Sequence, residues 1–478
     1  MKICVLQADY GNSTLDYRLY DPPRNLSHWW PEASFHHEFL HKLTVYKQLR
    51  DLSKQNFDIY INLCEGYLEW DIPSIDVIYA LDHLNLPYTG PTIELYDPPK
   101  DLMKYIAYCE GISTPEYAII ESDIDLKKLT QALNYPLFIK PLKSGDSLGI
   151  DQSSKLENYK QLSDKVQELL PFYPKLLVEE YIGGREFTVL VVATPTKPEK
   201  CISLLPVEYK FPEGFSYKTY SLKTSELHPD ANLACNDPYL EVKLKKAASK
   251  IFEAFSGVGY GRMDFRVNDK NEIYFLEVNF TCSVFYPEGF EGSADHILRI
   301  DGLGQSNFLK AIVQEGMLRY QAKKKRYEMR GNAIAGFGIY ALENFKKGDI
   351  IFQGEERAQR IVTKRYVDDH WDEQEKIFFR QYAYPLSNEV YCLWDKNPTE
   401  WAPQNHSCEP NTFYIGLNVV ASKNIIKGEE LTLDYSEFLD EHAESFECMC
   451  GSKNCKRWIQ GKSGNNVSVR EEIMSERK

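Results

Sequence analysis

The feature of the sequence that most restricts its fold is a group of cysteines near the C-terminus. Cys448, Cys450 and Cys455 form a C-x-C-x4-C pattern with Gly451 inside it. Thiolates this close together suit one tetrahedral metal ion, and a structural zinc site takes four ligands. Cys408 lies about forty residues upstream and supplies a fourth thiol. We therefore expect one structural zinc ion, bound by Cys408, Cys448, Cys450 and Cys455.

The overall composition excludes several classes of protein. The chain has 478 residues, 43% of them hydrophobic, and a formal net charge of −14. The negative charge argues against direct nucleic-acid binding through a basic surface. No apolar run approaches the roughly 20 residues that span a bilayer, and residues 1–7 lack the apolar core of a signal peptide. Because the other cysteines are scattered, which fits a reducing compartment, we expect a cytoplasmic protein with no membrane partner.

Changes in the sequence pattern indicate where the domains begin and end. Strand-like and helix-like stretches alternate up to residue 320, which is typical of α/β layers, whereas short strands, glycine turns and aromatic residues follow from about residue 330. The basic stretch 319–327 lies between them, and we interpret it as a helix end beside a linker; a nuclear-localisation signal is the alternative. The predicted divisions are 1–95, 96–320, a linker at 321–329, 330–437, 438–461, and a disordered polar tail at 462–478.

The first two thirds of the chain contain four segments rich in residues that bind phosphate and metal. They are 100–115, 138–149, 177–188 and 261–279. In the last segment Glu277 and Asn279 are two residues apart, so on one strand their side chains face the same side. Arg262 and Asp264 share a face for the same reason. Carboxylate and amide oxygens are the ligands that Mg²⁺ prefers.

The order of these segments resembles that of ATP-grasp carboxylate–amine ligases, above all the D-alanine–D-alanine ligases. The resemblance implies an N-terminal α/β lobe at 1–95 and an ATP-grasp domain at 96–320, which binds ATP and Mg²⁺ and joins a carboxylate to an amine through an acyl phosphate. It implies Mg²⁺ ligands at Asp264, Glu277 and Asn279, and Arg262 as the catalytic cation near the acyl carbon. The ATP-binding residues that it implies are Lys104, Lys140, Ser147, Glu179, Glu180, Ile182 and Glu186. A third phosphate-binding lysine is either Lys218 or Lys223.

Two segments depart from that family. Residues 63–66 replace a His-Gly pair in the N-terminal lobe, and residues 280–284 replace a Pro-Gly turn and an acceptor-binding serine. We therefore expect remodelled amino-acid pockets and no efficient synthesis of D-alanyl-D-alanine.

A second set of motifs precedes the cysteine cluster. It consists of the Gly336-Phe337-Gly338 turn and the segments 405–411 and 427–435. The two glycines allow the backbone to approach a ligand closely.

These motifs resemble SET-domain methyltransferases, with a SET domain at 330–437 and a post-SET zinc segment at 438–461. The resemblance implies Tyr435 as the catalytic residue that orients an amine for methyl transfer within an apolar channel. It implies an S-adenosylmethionine site formed by Gly336, Phe337, Gly338, Asn405, His406 and Trp458.

The sequence as a whole predicts an α/β ATP-grasp fold followed by a β-rich SET domain with a zinc cap. The predicted function is a bifunctional enzyme, an amino-acid or peptide ligase joined to an N-methyltransferase. One alternative is a protein lysine methyltransferase whose ATP-grasp half is a regulatory or binding module. Another is a ligase whose SET domain serves as a scaffold. The complete phosphate and magnesium sets argue against the first alternative, and Asn405, His406 and Tyr435 argue against the second.

Overall fold

The computed structural model divides the chain into two compact units, Met1–Lys323 and Lys324–Lys478. The division lies inside the predicted linker, because the last helix of the first unit ends at Lys323 and the first strand of the second begins at Tyr327. The predicted tail lies outside the described residues, except for Lys462. The structure describes residues 1–11, 13, 21–67, 70–124, 126–143, 148–196, 200–218, 231–354, 359–394, 402 and 404–462.

The N-terminal lobe is built on a short parallel sheet with the strand order β2-β1-β3. Its middle strand is buried on both faces, as expected for a parallel sheet covered by other elements. The loop that follows β3 lies at the carboxyl edge of the sheet and contains residues 63–66. The strands and helices are β1 (Lys2–Ala8), β2 (Ser34–Leu40), α1 (Val45–Ser53), β3 (Ile59–Asn62) and α2 (Ile75–His83).

The central lobe is an antiparallel sheet with the strand order β4-β7-β5-β6. Alternating side chains of these strands pack on α5, whose Asn158 caps the helix by accepting a hydrogen bond from the Gln161 amide. The elements of this lobe are α3 (Lys100–Cys109), β4 (Tyr117–Ile120), α4 (Leu126–Leu129), β5 (Leu137–Pro141), β6 (Lys155–Leu156), α5 (Tyr159–Leu169) and β7 (Leu176–Glu180).

The third lobe is a larger antiparallel sheet with the order β11-β10-β8-β12-β13, and β9 pairs with β8. Its strands are β8 (Arg185–Ala193), β9 (Cys201–Ser203), β10 (Val207–Tyr209), β11 (Asn232–Ala234), β12 (Tyr260–Val267) and β13 (Ile273–Asn279). Its helices are α6 (Pro238–Ala254), α7 (Ser293–Asp301) and α8 (Gly304–Lys323). No helix in the described ranges of the chain has both the length and the apolar character needed to cross a membrane.

The second unit consists mainly of short paired strands, as its glycine turns and aromatics predict. The pairings are β14-β15, β16-β22-β21, β17-β19-β18, the parallel pair β20-β23, and β24-β25. Two helices, α9 (Lys364–His370) and α10 (Glu373–Tyr382), interrupt this pattern. The strands are β14 (Tyr327–Asn332), β15 (Gly336–Ala341), β16 (Ile350–Phe352), β17 (Gln359–Thr363), β18 (Tyr384–Pro385), β19 (Val390–Trp394), β20 (Asn405–His406), β21 (Thr412–Ile415), β22 (Asn418–Ala421), β23 (Thr432–Leu433), β24 (Phe446–Glu447) and β25 (Trp458–Ile459).

Candidate active sites of the two units

A cleft in the first unit brings together residues from strands of two sheets. Strands β5 and β7 of the central lobe and strands β12 and β13 of the third lobe contribute lining residues. Seven of the residues proposed from the sequence line it: Lys140, Glu179, Glu180, Ile182, Glu186, Asp264 and Glu277. The predicted phosphate loop is only partly described, because Ser147 lies outside the described residues.

The carboxylate of Glu179 lies between two lysines. Its oxygens are 2.7 Å from the Nζ of Lys104 on α3 and 2.7 Å from the Nζ of Lys140 on β5. All three side chains are buried, with exposed fractions of 1% for Lys104, 6% for Lys140 and 4% for Glu179. Burial opposes ionisation of Glu179, but the two ammonium groups outweigh it and lower its pKa to about 2. Glu179 thus holds the two predicted phosphate-binding lysines together, and of the two it is Lys140 that lines the cleft.

This placement gives Glu179 a role that the sequence did not indicate. The resemblance to the ATP-grasp ligases implies that residues 179–182 contact the adenine of ATP, yet the Glu179 side chain contacts the two lysines. The Glu180 carboxylate instead accepts hydrogen bonds from the backbone and side-chain amides of Asn134, both at 2.8 Å. The adenine contacts of this segment stay a prediction.

The four residues predicted to bind metal and acyl phosphate lie on one face of a strand pair. Asp264 on β12 is directly opposite Glu277 on β13, and Arg262 is directly opposite Asn279. Opposite residues of an antiparallel pair share a face, as do residues two apart on one strand. The Arg262 guanidinium is 3.2 Å from the Asp264 carboxylate, and Lys100 Nζ is 3.5 Å from Glu277. The two carboxylates on this face fit Mg²⁺. The Asn279 Oδ1 accepts hydrogen bonds from the amide and the hydroxyl of Thr281, so its role as a third ligand stays a prediction.

Two further cations reach the Glu186 carboxylate. Lys218 Nζ is 3.1 Å from Glu186 Oε1, and Arg266 Nε is 3.6 Å from Oε2. Of the two lysines left open by the sequence, Lys218 therefore lies in the cleft, while Lys223 is outside the described residues. Sequence reasoning missed Arg266, although its position two residues after Asp264 and four after Arg262 was a signal that it shares their face.

In the second unit, Asn405 connects the glycine turn to the half-buried side chain of Glu430. Its Nδ2 donates to the carbonyl of Phe337 at 3.0 Å and to Glu430 Oε1 at 2.7 Å. Gly338 lies so close to these two side chains that a Cβ would collide with both. A side chain at position 338 would therefore displace Asn405 and Glu430 from this arrangement, and Glu430 is a member of this site that the sequence did not single out.

His406 links the cysteine cluster to Tyr435. Its Nδ1 accepts a hydrogen bond from the Tyr435 amide at 3.1 Å, and its Nε2 is 3.3 Å from Cys408 Sγ. Burial lowers the pKa of His406, so the ring is neutral and its single proton lies on Nε2, where it donates to the sulfur. The imidazole is 4% exposed. A contact of His406 with S-adenosylmethionine stays a prediction, since these bonds already engage both ring nitrogens.

Tyr435 lies in an apolar, hydrogen-bonded setting. Its hydroxyl donates to the carbonyl of Gln404, and its ring is 5.6 Å from that of Phe438 and 6.0 Å from that of Phe446. Burial raises the pKa of Tyr435 well above its usual value, so the hydroxyl remains protonated and acts as a hydrogen-bonding group. Lys456 forms an ion pair with Asp434, the residue before Tyr435, with 2.6 Å between its Nζ and Asp434 Oδ2.

The four cysteines predicted as zinc ligands come together. The Sγ atoms of Cys408, Cys448, Cys450 and Cys455 all lie within 4.8 Å of one another, and those of Cys408 and Cys448 are 3.8 Å apart. A tetrahedral site with zinc–sulfur bonds of about 2.3 Å requires sulfur–sulfur distances of about 3.8 Å. The cluster therefore fits zinc. Trp458 lies beyond it on β25 and is 57% exposed, and its contact with S-adenosylmethionine stays a prediction.

Comparison with known proteins assigns both halves of the chain. Residues 108–290 match the family model described as the D-ala D-ala ligase C-terminus, and residues 336–436 match the SET domain. The chain thus contains a D-Ala-D-Ala ligase C-terminal domain and a SET domain, as the motifs predicted. Both are domains of enzyme families, one of ligases and the other of methyltransferases.

Curated relatives and a solved structure extend the assignment of the first unit. The D-alanine–D-alanine ligase of Dechloromonas aromatica is 26% identical over 243 residues, which span 49% of this chain and 74% of the relative. That of Legionella pneumophila strain Lens is 28% identical over 240 residues, 47% of this chain and 63% of the relative. The ATP complex of the Bacillus anthracis enzyme superposes with a TM-score of 0.50 at 17% identity, covering 68% of this chain and 99% of that one. The predicted ATP-grasp fold is confirmed.

We predict that neutralising Glu179 destabilises the first unit in a pH-dependent way. The pKa of Glu179 is about 2 in the folded state, below a value of about 4.3 in the unfolded state. Ionisation of Glu179 therefore contributes about 3 kcal/mol to the free energy of unfolding at neutral pH. This contribution is complete above about pH 4.3 and is lost as the pH falls toward 2. In chemical unfolding of the full-length protein, Glu179→Gln should have a lower free energy of unfolding than the wild type at pH 7. The difference between the two should become smaller below about pH 4.3. The matched control is Glu157→Gln, which changes an exposed carboxylate. A difference in unfolding free energy between Glu179→Gln and wild type that does not change with pH would contradict the assignment.

We predict that the purified chain carries about one zinc ion per polypeptide. Cys450→Ser removes one of four thiolates and should lower the bound zinc sharply, whereas Cys109→Ser, which changes an exposed cysteine outside the cluster, should leave it unchanged. Elemental analysis with a chelator titration measures both. A wild-type protein that is fully folded without zinc would show that the cluster is not a metal site.

Proposed function

We propose that the chain is a bifunctional enzyme. The first unit joins a carboxylate to an amine at the expense of ATP, and the second transfers a methyl group from S-adenosylmethionine to an amine nitrogen. The observation that supports the proposal is a cleft lined by members of two residue sets. One set is Lys104 and Lys140, held by Glu179, and the other is the face of β12 and β13 that carries Asp264, Glu277 and Asn279. Such a cleft offers cations to phosphates and oxygens to a metal.

In the ligase reaction the residues of the cleft position charge. Lys104, Lys140 and Lys218 neutralise phosphate oxygens, and Arg262 stabilises negative charge at the acyl carbon when the amine attacks. Asp264, Glu277 and Asn279 would hold Mg²⁺, which would supply positive charge to offset the charge of the phosphates. Expected substrates are amino acids or peptides, with pockets other than those for two D-alanines because residues 63–66 and 280–284 differ from the family pattern.

In the methyl-transfer reaction the second unit supplies alignment and exclusion of water. S-adenosylmethionine supplies the methyl group from its sulfonium. The turn at Gly336, Phe337 and Gly338 with Asn405 binds the cofactor, and the hydroxyl of Tyr435 orients the amine in an aromatic channel. The expected methyl acceptor is a small amine or a protein lysine. Zinc bound by the four cysteines fixes the segment that bears His406 and Lys456, and thereby the backbone at Tyr435.

We predict that Glu277→Gln abolishes ADP release that depends on a carboxylate substrate. The substitution removes a metal ligand charge, and we expect a loss of roughly 100-fold or more. Phosphate release with a panel of amino-acid pairs identifies the substrates of the wild type, and Glu272→Gln, an exposed acid just before β13, is the control. Equal activity of Glu277→Gln and wild type would refute the metal assignment. A strong wild-type preference for two D-alanines would refute the expectation of remodelled pockets.

We predict that Tyr435→Phe lowers the rate of methyl transfer, or the number of methyl groups added, without weakening cofactor binding, because only the hydroxyl is lost. His406→Ala should weaken both cofactor and zinc binding, since the imidazole contacts Cys408 and the Tyr435 amide. Calorimetry with S-adenosylmethionine and mass spectrometry of reactions with cell extract distinguish these effects, with the exposed Tyr366→Phe as the control. A wild type that does not bind the cofactor would indicate a scaffold.

A further inference from the structure

A buried network of charged residues lies at the carboxyl edge of the N-terminal sheet, and the proposed ligase reaction has so far given it no role. Its centre is Arg24, whose side chain is fully buried. The guanidinium donates to Asp21 at 2.6 Å and to Glu65 at 2.8 Å, and further to the carbonyl of Val284 and the hydroxyl of Tyr286. A buried guanidinium needs one carboxylate to balance its charge, and this one has two.

Glu65 is the less buried of the two carboxylates. Its side chain is 21% exposed, compared with 9% for Asp21. One oxygen binds Arg24 and the other accepts a hydrogen bond from Ser283. Burial raises the pKa of Glu65 to about 7, although the positive charge of Arg24 acts in the opposite direction. A carboxylate with a pKa near neutral, held in a fixed direction, is suited to accept a proton.

The position of Glu65 relates it to the acyl-transfer residues. Ser283 is four residues beyond the proposed metal ligand Asn279, and the buried thiol of Cys282 lies within electrostatic range of Arg262, Glu65 and Asp264. Glu65 and the Arg262–Asp264 pair therefore lie within electrostatic range of the same buried thiol. The loop that carries Glu65 is fixed by Tyr96, whose hydroxyl donates to the carbonyl of Gly66 at 2.7 Å.

We propose that Glu65 binds the ammonium group of the acceptor substrate and removes its proton, with Ser283 and Arg24 holding the carboxylate in place. The inference rests on the proposed ligase function and names a further catalytic residue for it. The acceptor class that this implies is a primary amine that is protonated at neutral pH.

The proton and electron movements balance without another reactant. The Glu65 carboxylate takes one proton from the ammonium, and the freed nitrogen lone pair forms the bond to the acyl carbon. The bond between that carbon and the bridging oxygen breaks, and phosphate leaves with the bonding pair. The second proton on nitrogen passes to the departing phosphate, and Glu65 returns its proton to solvent when the amide leaves.

A purely structural role for Glu65, as a counter-ion of Arg24, makes a different prediction. Loss of a counter-ion disturbs the whole lobe and every step that it supports. Loss of a base affects only attack by an amine that must first be deprotonated. Hydroxylamine separates the two, because it is largely unprotonated at neutral pH while α-amino groups are largely protonated.

The test compares two products of the same acyl phosphate in the full-length protein. With ATP, Mg²⁺ and the best carboxylate from the amino-acid panel, hydroxamate formation with hydroxylamine reports acyl phosphate, and amide formation with the best amine acceptor reports the complete reaction. For Glu65→Gln we expect amide formation to fall roughly 100-fold or more, with hydroxamate formation within about threefold of wild type. Glu288→Gln, an exposed acid on the same loop as Ser283, should alter neither product.

The remaining outcomes are decisive as well. Equal loss of both products in Glu65→Gln, or loss of neither, would overturn the proposal. If Glu65→Gln does not fold, Ser283→Ala is tested instead, because it removes only one hydrogen bond of the carboxylate. A fall in amide formation without a fall in hydroxamate formation supports the proposal. An unchanged ratio of amide to hydroxamate refutes it. A wild type that forms no hydroxamate with any carboxylate of the panel would instead refute the ligase function itself.

Discussion

The ion triad of Lys104, Glu179 and Lys140 is the interaction on which the proposed nucleotide cleft depends. It joins three elements, the helix α3 and the strands β5 and β7, through two contacts of 2.7 Å. Two buried ammonium groups would repel each other and lose hydration without the carboxylate between them. Lys140 of the triad lines the cleft, so that phosphate oxygens would meet a cation that is already in position. Preorganisation of this kind reduces the reorganisation required during phosphoryl transfer.

The second requirement of the cleft is the register of β12 and β13, and here the limits of sequence reasoning are clear. Alternation along a strand predicted that Arg262 and Asp264 share a face, and likewise Glu277 and Asn279. That Asp264 lies opposite Glu277 depends on the pairing of two strands, with an irregularity after Asp264, and no local pattern encodes it. The role of Glu179 was missed for a similar reason, since Lys104 is 75 positions away in the sequence and only tertiary packing brings the two together.

In the second unit the same contrast appears. The spacing of Cys448, Cys450 and Cys455 predicted the cluster with Cys408 because short loops leave thiols little freedom, and the sulfur atoms do converge. The helices α9 and α10 were not predicted, since their many charges and aromatics show no strong apolar period. The hydrogen bonds of His406 to Cys408 and Tyr435 depend on the parallel pairing of β20 with β23, which joins segments distant in sequence. Motifs thus identified the participants, while packing determined which atoms each one contacts.

The two proposed reactions involve charges of opposite sign, and the charged residues of the two units differ accordingly. Phosphoryl transfer concentrates negative charge, and the residues around the first cleft are accordingly lysines, arginines and carboxylates paired within 4 Å. Methyl transfer moves a positive charge off a sulfonium, and a fixed cation beside the amine would oppose both cofactor binding and approach of the methyl group. Around Tyr435 the structure instead has a protonated hydroxyl, aromatic rings and a neutral His406. The nearby Lys456 is neutralised by Asp434, so this channel retains the low net charge that its proposed reaction requires.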